Sequence, residues 1–94
     1  MDVHTRQVSV VNSQGLHARP CHAVVSTALG FQASLRVRCG SLDVNGKSIL
    51  ELMTLNASCG KHLELTAEGP DSEGLLQALE ELFASGFGEE QSAG

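Results

Sequence analysis

Apolar and polar positions alternate in some stretches of this chain and recur at helical spacing in others. In "RQVSVVN", Val8 and Val10 alternate with polar neighbours, which predicts a strand near residues 5–11. "NSQG" then supplies turn residues. From Ala18 onward, Cys21, Val24, Val25, Ala28 and Leu29 form one apolar helix face, and Gly30 is expected to end it. "ASLRVRC" alternates with Leu35, Val37 and Cys39 on one side, as a half-buried strand does. A short partner strand is expected around Leu42–Val44, followed by an Asn-Gly turn. "SILELMTL" predicts a short helix opened by Ser48, and "HLELTAEG" a strand with Leu63, Leu65 and Ala67 on one face. The last helix is expected from Asp71 to Ser85. Leu75, Leu79, Leu82 and Phe83 make its stripe, Leu76 and Ala78 widen it, Asp71 or Ser72 can cap it, and Gly86 can stop it.

The predicted order is β-α-β-β-α-β-α. Four short strands with helices distributed in this way predict an α+β fold, a mostly antiparallel sheet with helices on one face. A length of 94 residues leaves room for one core. With three Phe and no Trp or Tyr, that core must be built from Leu, Val, Ile and Ala. The polar tail "GEEQSAG" is expected to be disordered.

Composition narrows the function classes. A net charge of −5 argues against a general nucleic-acid binder, which needs a basic surface to displace counterions. No apolar run is long enough to cross a bilayer and no basic-then-apolar leader opens the chain, so membrane insertion is not expected and the cytoplasm is. Cys21, Cys39 and Cys59, odd in number and unevenly spaced, read as reduced thiols rather than a disulfide framework.

The densest chemistry lies in "QGLHARPCH", residues 14–22. Pro20 suits the first turn of a helix, where its missing N–H costs nothing, and Gly15 lets the incoming chain turn sharply. His17 then stands at the positive end of the helix dipole, beside unpaired backbone N–H groups that favour a phosphoryl dianion. An imidazole with an unperturbed pKa of about 6.5 is largely neutral and nucleophilic near neutral pH. Arg19, two residues on, offers guanidinium hydrogen bonds to phosphate oxygens. The same residues also serve as plain turn punctuation, with His17 an ordinary surface side chain.

Three motifs decide between these readings. "GLHARP" (15–20) before an apolar helix, "NGKSILELMTLNASCGKHLELTAEGPD" (45–71) and "ALEELFASGFGE" (78–89) occur in order, and together they resemble the histidine-containing phosphocarrier (HPr) family. The resemblance runs from about residue 5 to Glu89, so residues 1–89 are expected to form a single HPr-like domain, with 90–94 as a tail. It implies an open-faced β-sandwich, a four-stranded antiparallel sheet covered on one face by three helices. It also implies a stoichiometric relay in the phosphoenolpyruvate-dependent phosphotransferase system rather than a turnover enzyme, with no cofactor. Enzyme I would phosphorylate Nδ1 of His17, Arg19 would contact the phosphate, and an enzyme IIA domain would receive it, in sugar uptake or in a nitrogen-type regulatory branch. Leu16, Lys47, Ile49, Leu50 and Met53 would dock these partners, while Leu52 and Leu55 pack the core. The protein is expected to act as a monomer.

In many members of the family the serine matching Ser48 is phosphorylated by an HPr kinase. Here Ser48-Ile49-Leu50-Glu51 also reads as a capping box, in which Ser48 accepts an amide three residues on and Glu51 reaches back. Such a cap is worth about 0.5–2 kcal/mol. A phosphate on Ser48 would gain from the helix N-terminus and be repelled by Glu51. Two rival functions remain at this level. One is a regulatory adaptor controlled through Ser48, against which His17 argues, since adaptors that have lost the relay lack this histidine. The other is a metal module using His17 with Cys21 and Cys59 with His62, for which no paired C-x-x-C exists. No metal is expected.

Overall fold

The computed structural model describes residues 2–88. Its elements are β1 (Val3–Ser9), α1 (Ala18–Leu29), β2 (Ser34–Cys39), β3 (Leu42–Asn45), α2 (Ile49–Thr54), β4 (His62–Glu68) and α3 (Ser72–Ala84), followed by a 3₁₀ turn at Gly86–Gly88. The four strands form one antiparallel sheet in the order β1-β4-β2-β3. This is the α+β arrangement that the order of elements predicts, an antiparallel sheet with its helices on one face, and the open-faced sandwich that the resemblance implies. The tail 90–94 and Glu89 lie outside the described residues.

One sheet face carries Val8, Leu35, Val37, Val44, Leu63, Leu65 and Ala67, all buried against the helices. The other face is polar: Thr5 pairs with Thr66, Arg36 with Asp43 at 3.0 Å and Arg38 with Glu64 at 3.6 Å. An antiparallel sheet can leave such a face in water because its strands alternate apolar and polar residues. The helices contribute Cys21, Val24, Val25 and Ala28 from α1, Leu52 from α2, and Leu75, Leu76, Leu79 and Phe83 from α3.

Three expectations need correction. The first strand runs over Val3–Ser9 rather than 5–11, because His4 and Arg6 occupy its helix-facing positions and hide the alternation. His4 Nδ1 lies 2.9 Å from Ser72 Oγ, and Arg6 Nε lies 3.9 Å from Glu80, so polar side chains reach α3 at this edge. Leu29 is 65% exposed. At 3.6 residues per turn it sits about 80° around the helix from Cys21, at the rim of the apolar face. Gly30 ends α1 as expected, without a left-handed φ; its amide and that of Phe31 fold back on Thr27 O and Ala28 O, tightening the last turn. At α3, Asp71 holds the N-cap position but its carboxylate is used elsewhere, on the amides of Gln32 and Ala33, each at 2.8 Å. Gly86 does close α3 as expected, with φ +66 just after the C-cap Ser85.

Candidate functional site

The chain reaches α1 through a turn held from several sides. Gly15 N donates to Asn12 O at 3.1 Å, and Asn12 Nδ2 donates to Gly15 O at 2.7 Å. Leu16 N donates to Ala57 O at 2.8 Å, which ties the turn to the segment leaving α2. His17 N donates to Gly15 O at 3.0 Å, and His17 O accepts the first helical amide, that of Cys21, at 3.1 Å. His17 is thus the N-cap of α1, with extended φ −92 and ψ −166, and its side chain makes no capping bond. It is half-buried.

This placement produces an anion-friendly helix end. The first turn of any helix leaves amides without intrahelical partners. Here those of the first two helical positions belong to Ala18 and Arg19, while the third position is Pro20, which has no N–H to leave unsatisfied. Pro20 is buried, and Arg19, beside it in the same turn, is exposed. An imidazole, two amides and a guanidinium at the positive end of a 12-residue helix form a place where a phosphoryl group is electrostatically favoured. Cys21 belongs to the core instead: it is buried, its Sγ donates weakly to Leu16 O at 3.7 Å, and burial raises its thiol pKa. His62 Nδ1 lies 2.9 Å from Ser9 Oγ, and Cys59 Sγ faces Val11 O at 3.8 Å. Among the described residues, no three His, Cys, Asp or Glu side chains cluster as metal ligands would.

The expected docking residues separate. Leu50 is 80% exposed and Met53 44% exposed, on α2 alongside α1, and Ile49 is half-buried against the core. Leu16 departs from expectation: at 5% exposure its side chain is core, so it fixes the turn and offers no surface. Lys47 also departs, because it does not stand beside His17. Its Nζ donates to Phe31 O at 3.0 Å, just beyond the far end of α1. Twelve residues at 1.5 Å each put about 18 Å of helix between the two ends.

Ser48 lies at that far end too. Its Oγ accepts the Glu51 amide at 3.2 Å, the forward half of the capping box. The return half differs from expectation: Glu51 Oε1 accepts from Asn45 N at 2.9 Å. The Ser48 amide is already used by Asn45 O at 3.1 Å, and those of Lys47 and Gly46 by Asn45 Oδ1 and Leu35 O, so the carboxylate takes the amide of Asn45, three residues earlier.

Two contributors were not singled out by sequence reasoning. Asn12 looks like ordinary turn punctuation, and only its position three residues before Gly15 hints at a side chain that bonds its own turn. Ala57 acts through its backbone carbonyl, for which side-chain identity gives no signal.

Comparison with known proteins adds the decisive observation. The PTS-HPr family, described as "PTS HPr component phosphorylation site", matches residues 4–85. The chain belongs to the HPr family. It is 41% identical over 85 residues to the phosphocarrier protein HPr of Treponema pallidum, covering 90% of this chain and 97% of that protein. It is also 41% identical over 91 residues to a multiphosphoryl transfer protein of Vibrio cholerae, covering 92% of this chain but 22% of that longer one. Among solved structures, HPr-C-His from Thermoanaerobacter tengcongensis superposes with a TM-score of 0.88 at 40% identity, covering 93% of this chain and 98% of that one. An HPr-type phosphocarrier of the phosphotransferase system is therefore the coarse function.

Proposed function

We propose that His17 is the residue that carries the phosphate, taking it from phosphorylated enzyme I and passing it to an enzyme IIA-type domain. The observation that carries this reading is the place of His17 as N-cap of α1, directly before the Ala18 and Arg19 amides that open the helix. In the loading step the Nδ1 lone pair forms the N–P bond. The bond from phosphorus to enzyme I breaks, and its electron pair returns to enzyme I. The Ala18 and Arg19 amides and the Arg19 guanidinium then hold the phosphoryl oxygens by charge-assisted hydrogen bonds. Unloading is the reverse displacement toward the acceptor, so the carrier is regenerated in each cycle and needs no cofactor.

Partners dock, in this reading, on the exposed apolar surface of α2 beside α1, formed by Leu50 and Met53 with the half-buried Ile49. No helix among the described residues is long and apolar enough to cross a membrane. Three free cysteines suit a reducing cytoplasm, where this reading places the relay. Sugar uptake and a nitrogen-type regulatory branch both fit a single phosphohistidine carrier; they differ in the acceptor domain, which phosphotransfer to purified IIA domains of each kind distinguishes.

The test is incubation with enzyme I and radiolabelled phosphoenolpyruvate. Acid-labile label is expected on the wild-type protein and none on His17→Ala. Label that persists in the variant refutes the assignment. Ser48 stands here first as a helix cap, with the Glu51 carboxylate on the same turn opposing a second negative group. Phosphorylation of Ser48 by an HPr kinase, the regulatory alternative, is tested by the same incubation with that kinase and ATP.

A further inference from the structure

We propose that Asn12 is a positioning residue for phosphoryl transfer at His17, acting through the Gly15 carbonyl. The proposal rests on the reading of His17 as the phosphate carrier. Asn12 lies on the connection between β1 and α1, yet its side chain is fully buried. Burying a carboxamide is costly unless it is hydrogen-bonded. Its Nδ2 donates at 2.7 Å to Gly15 O, the same oxygen that accepts the His17 amide at 3.0 Å. A carbonyl has two lone pairs and can take both donors.

The turn does not need this bond in order to reverse the chain. Gly15 already supplies the positive φ, and its amide already closes the turn on Asn12 O at 3.1 Å. The buried carboxamide adds a second closure, on the carbonyl that fixes the backbone of His17. From there the N-cap backbone sets where the imidazole leaves the chain relative to the Ala18 and Arg19 amides. Group transfer is sensitive at this point, since a misplacement of about 1 Å can cost about a hundredfold in rate. Asn12 touches neither the phosphoryl group nor the donor in this account. Its effect passes through Gly15 to His17.

The experiment measures steady-state phosphoryl acceptance from enzyme I by wild type, Asn12→Ala and Asn12→Ser, below the temperature at which each variant unfolds. Asn12→Ala is expected to lose about tenfold in kcat while KM stays within about twofold. Asn12→Ser, whose hydroxyl makes the same kind of local bond more weakly, is expected to recover part of the loss. A purely structural role would lower stability and leave kcat of the folded protein unchanged. A folded Asn12→Ala variant with wild-type kcat therefore overturns the proposal, as does a loss confined to KM. Should Asn12→Ala fail to fold, the wild type decides: phosphorylation must move the NMR resonances of the Asn12 side-chain amide, and unmoved resonances overturn the proposal. Wild-type protein that takes no label on His17 refutes the carrier reading itself, a result to which the Asn12 variants contribute nothing.

Discussion

Replacing Gly15 by alanine tests whether the turn that presents His17 is held by close backbone packing. Gly15 has φ +73, a region that costs a residue with a Cβ about 1–2 kcal/mol. An added Cβ would also stand 2.5 Å from Ala57 O and 3.0 Å from Ser58 Cα. Both are backbone atoms, so neither can swing aside as a side chain would. Relief requires moving the 57–58 segment away, which stretches the 2.8 Å bond from Leu16 N to Ala57 O and forfeits about 0.5–1.5 kcal/mol. The sum is about 1.5–3.5 kcal/mol, or a fall of roughly 6–28 °C in Tm for a domain of this size. Gly40→Ala is the matched control: its φ is +62, and nothing lies within 4 Å of its added Cβ, so it bears the conformational cost alone. Urea titration of the two variants, followed by circular dichroism, should place Gly15→Ala below Gly40→Ala by about 1 kcal/mol. Because Gly15 O accepts the His17 amide, the same variant should also take phosphate from enzyme I more slowly. Equal stability of the two variants would refute the packing argument, whatever the phosphorylation result.

Other expectations follow from the same geometry. The Gln32 amide, with lesser help from the amides of Ala33 and Asp71 itself and from the charge of Lys47, lowers the Asp71 pKa against the opposing effect of burial. A carboxylate depressed on folding stabilises the protein above its unfolded pKa of about 3.9 and loses that contribution as pH falls through its lower folded value. The urea midpoint of Asp71→Asn should therefore vary less than that of wild type as pH is lowered from 5 to 2, and an unchanged slope refutes the assignment. Ser48→Ala removes the acceptor for the Glu51 amide and should cost about 0.5–2 kcal/mol in urea titration without abolishing phosphate uptake by His17. Leu16 and Leu50 should behave oppositely. Leu16→Ala, in the core, should lose about 2–5 kcal/mol of stability, whereas Leu50→Asp, on an exposed position, should keep its urea midpoint and weaken transfer from enzyme I.

The order of the elements was legible in the sequence, because each strand or helix buries one face and the spacing of apolar residues records that face. It marked His17 as a candidate too, since Gly15, Pro20 and a following apolar helix specify where a helix begins. Its errors fall where a local pattern has more than one physical outcome. Leu16 and Leu50 are both leucines beside expected functional residues, yet one is buried in the core, its amide bonded to Ala57 O, and the other faces solvent. The difference lies in how the exit of α2 packs against the turn before α1, which apolar spacing within either segment does not encode. Lys47 follows two residues after Asn45 in a motif that belongs to the site, but its amine ends on Phe31 O because β3 returns the chain to the far end of α1. Asp71 reads as a helix cap from its neighbours alone; the tertiary fold brings two unpaired amides of the 32–33 segment to its carboxylate. Asn12 is the same lesson beside the site. Its type suits a turn, and only the assembled fold buries it on the carbonyl that holds His17. Local sequence sets which backbone groups need partners, while the tertiary structure decides which partners arrive.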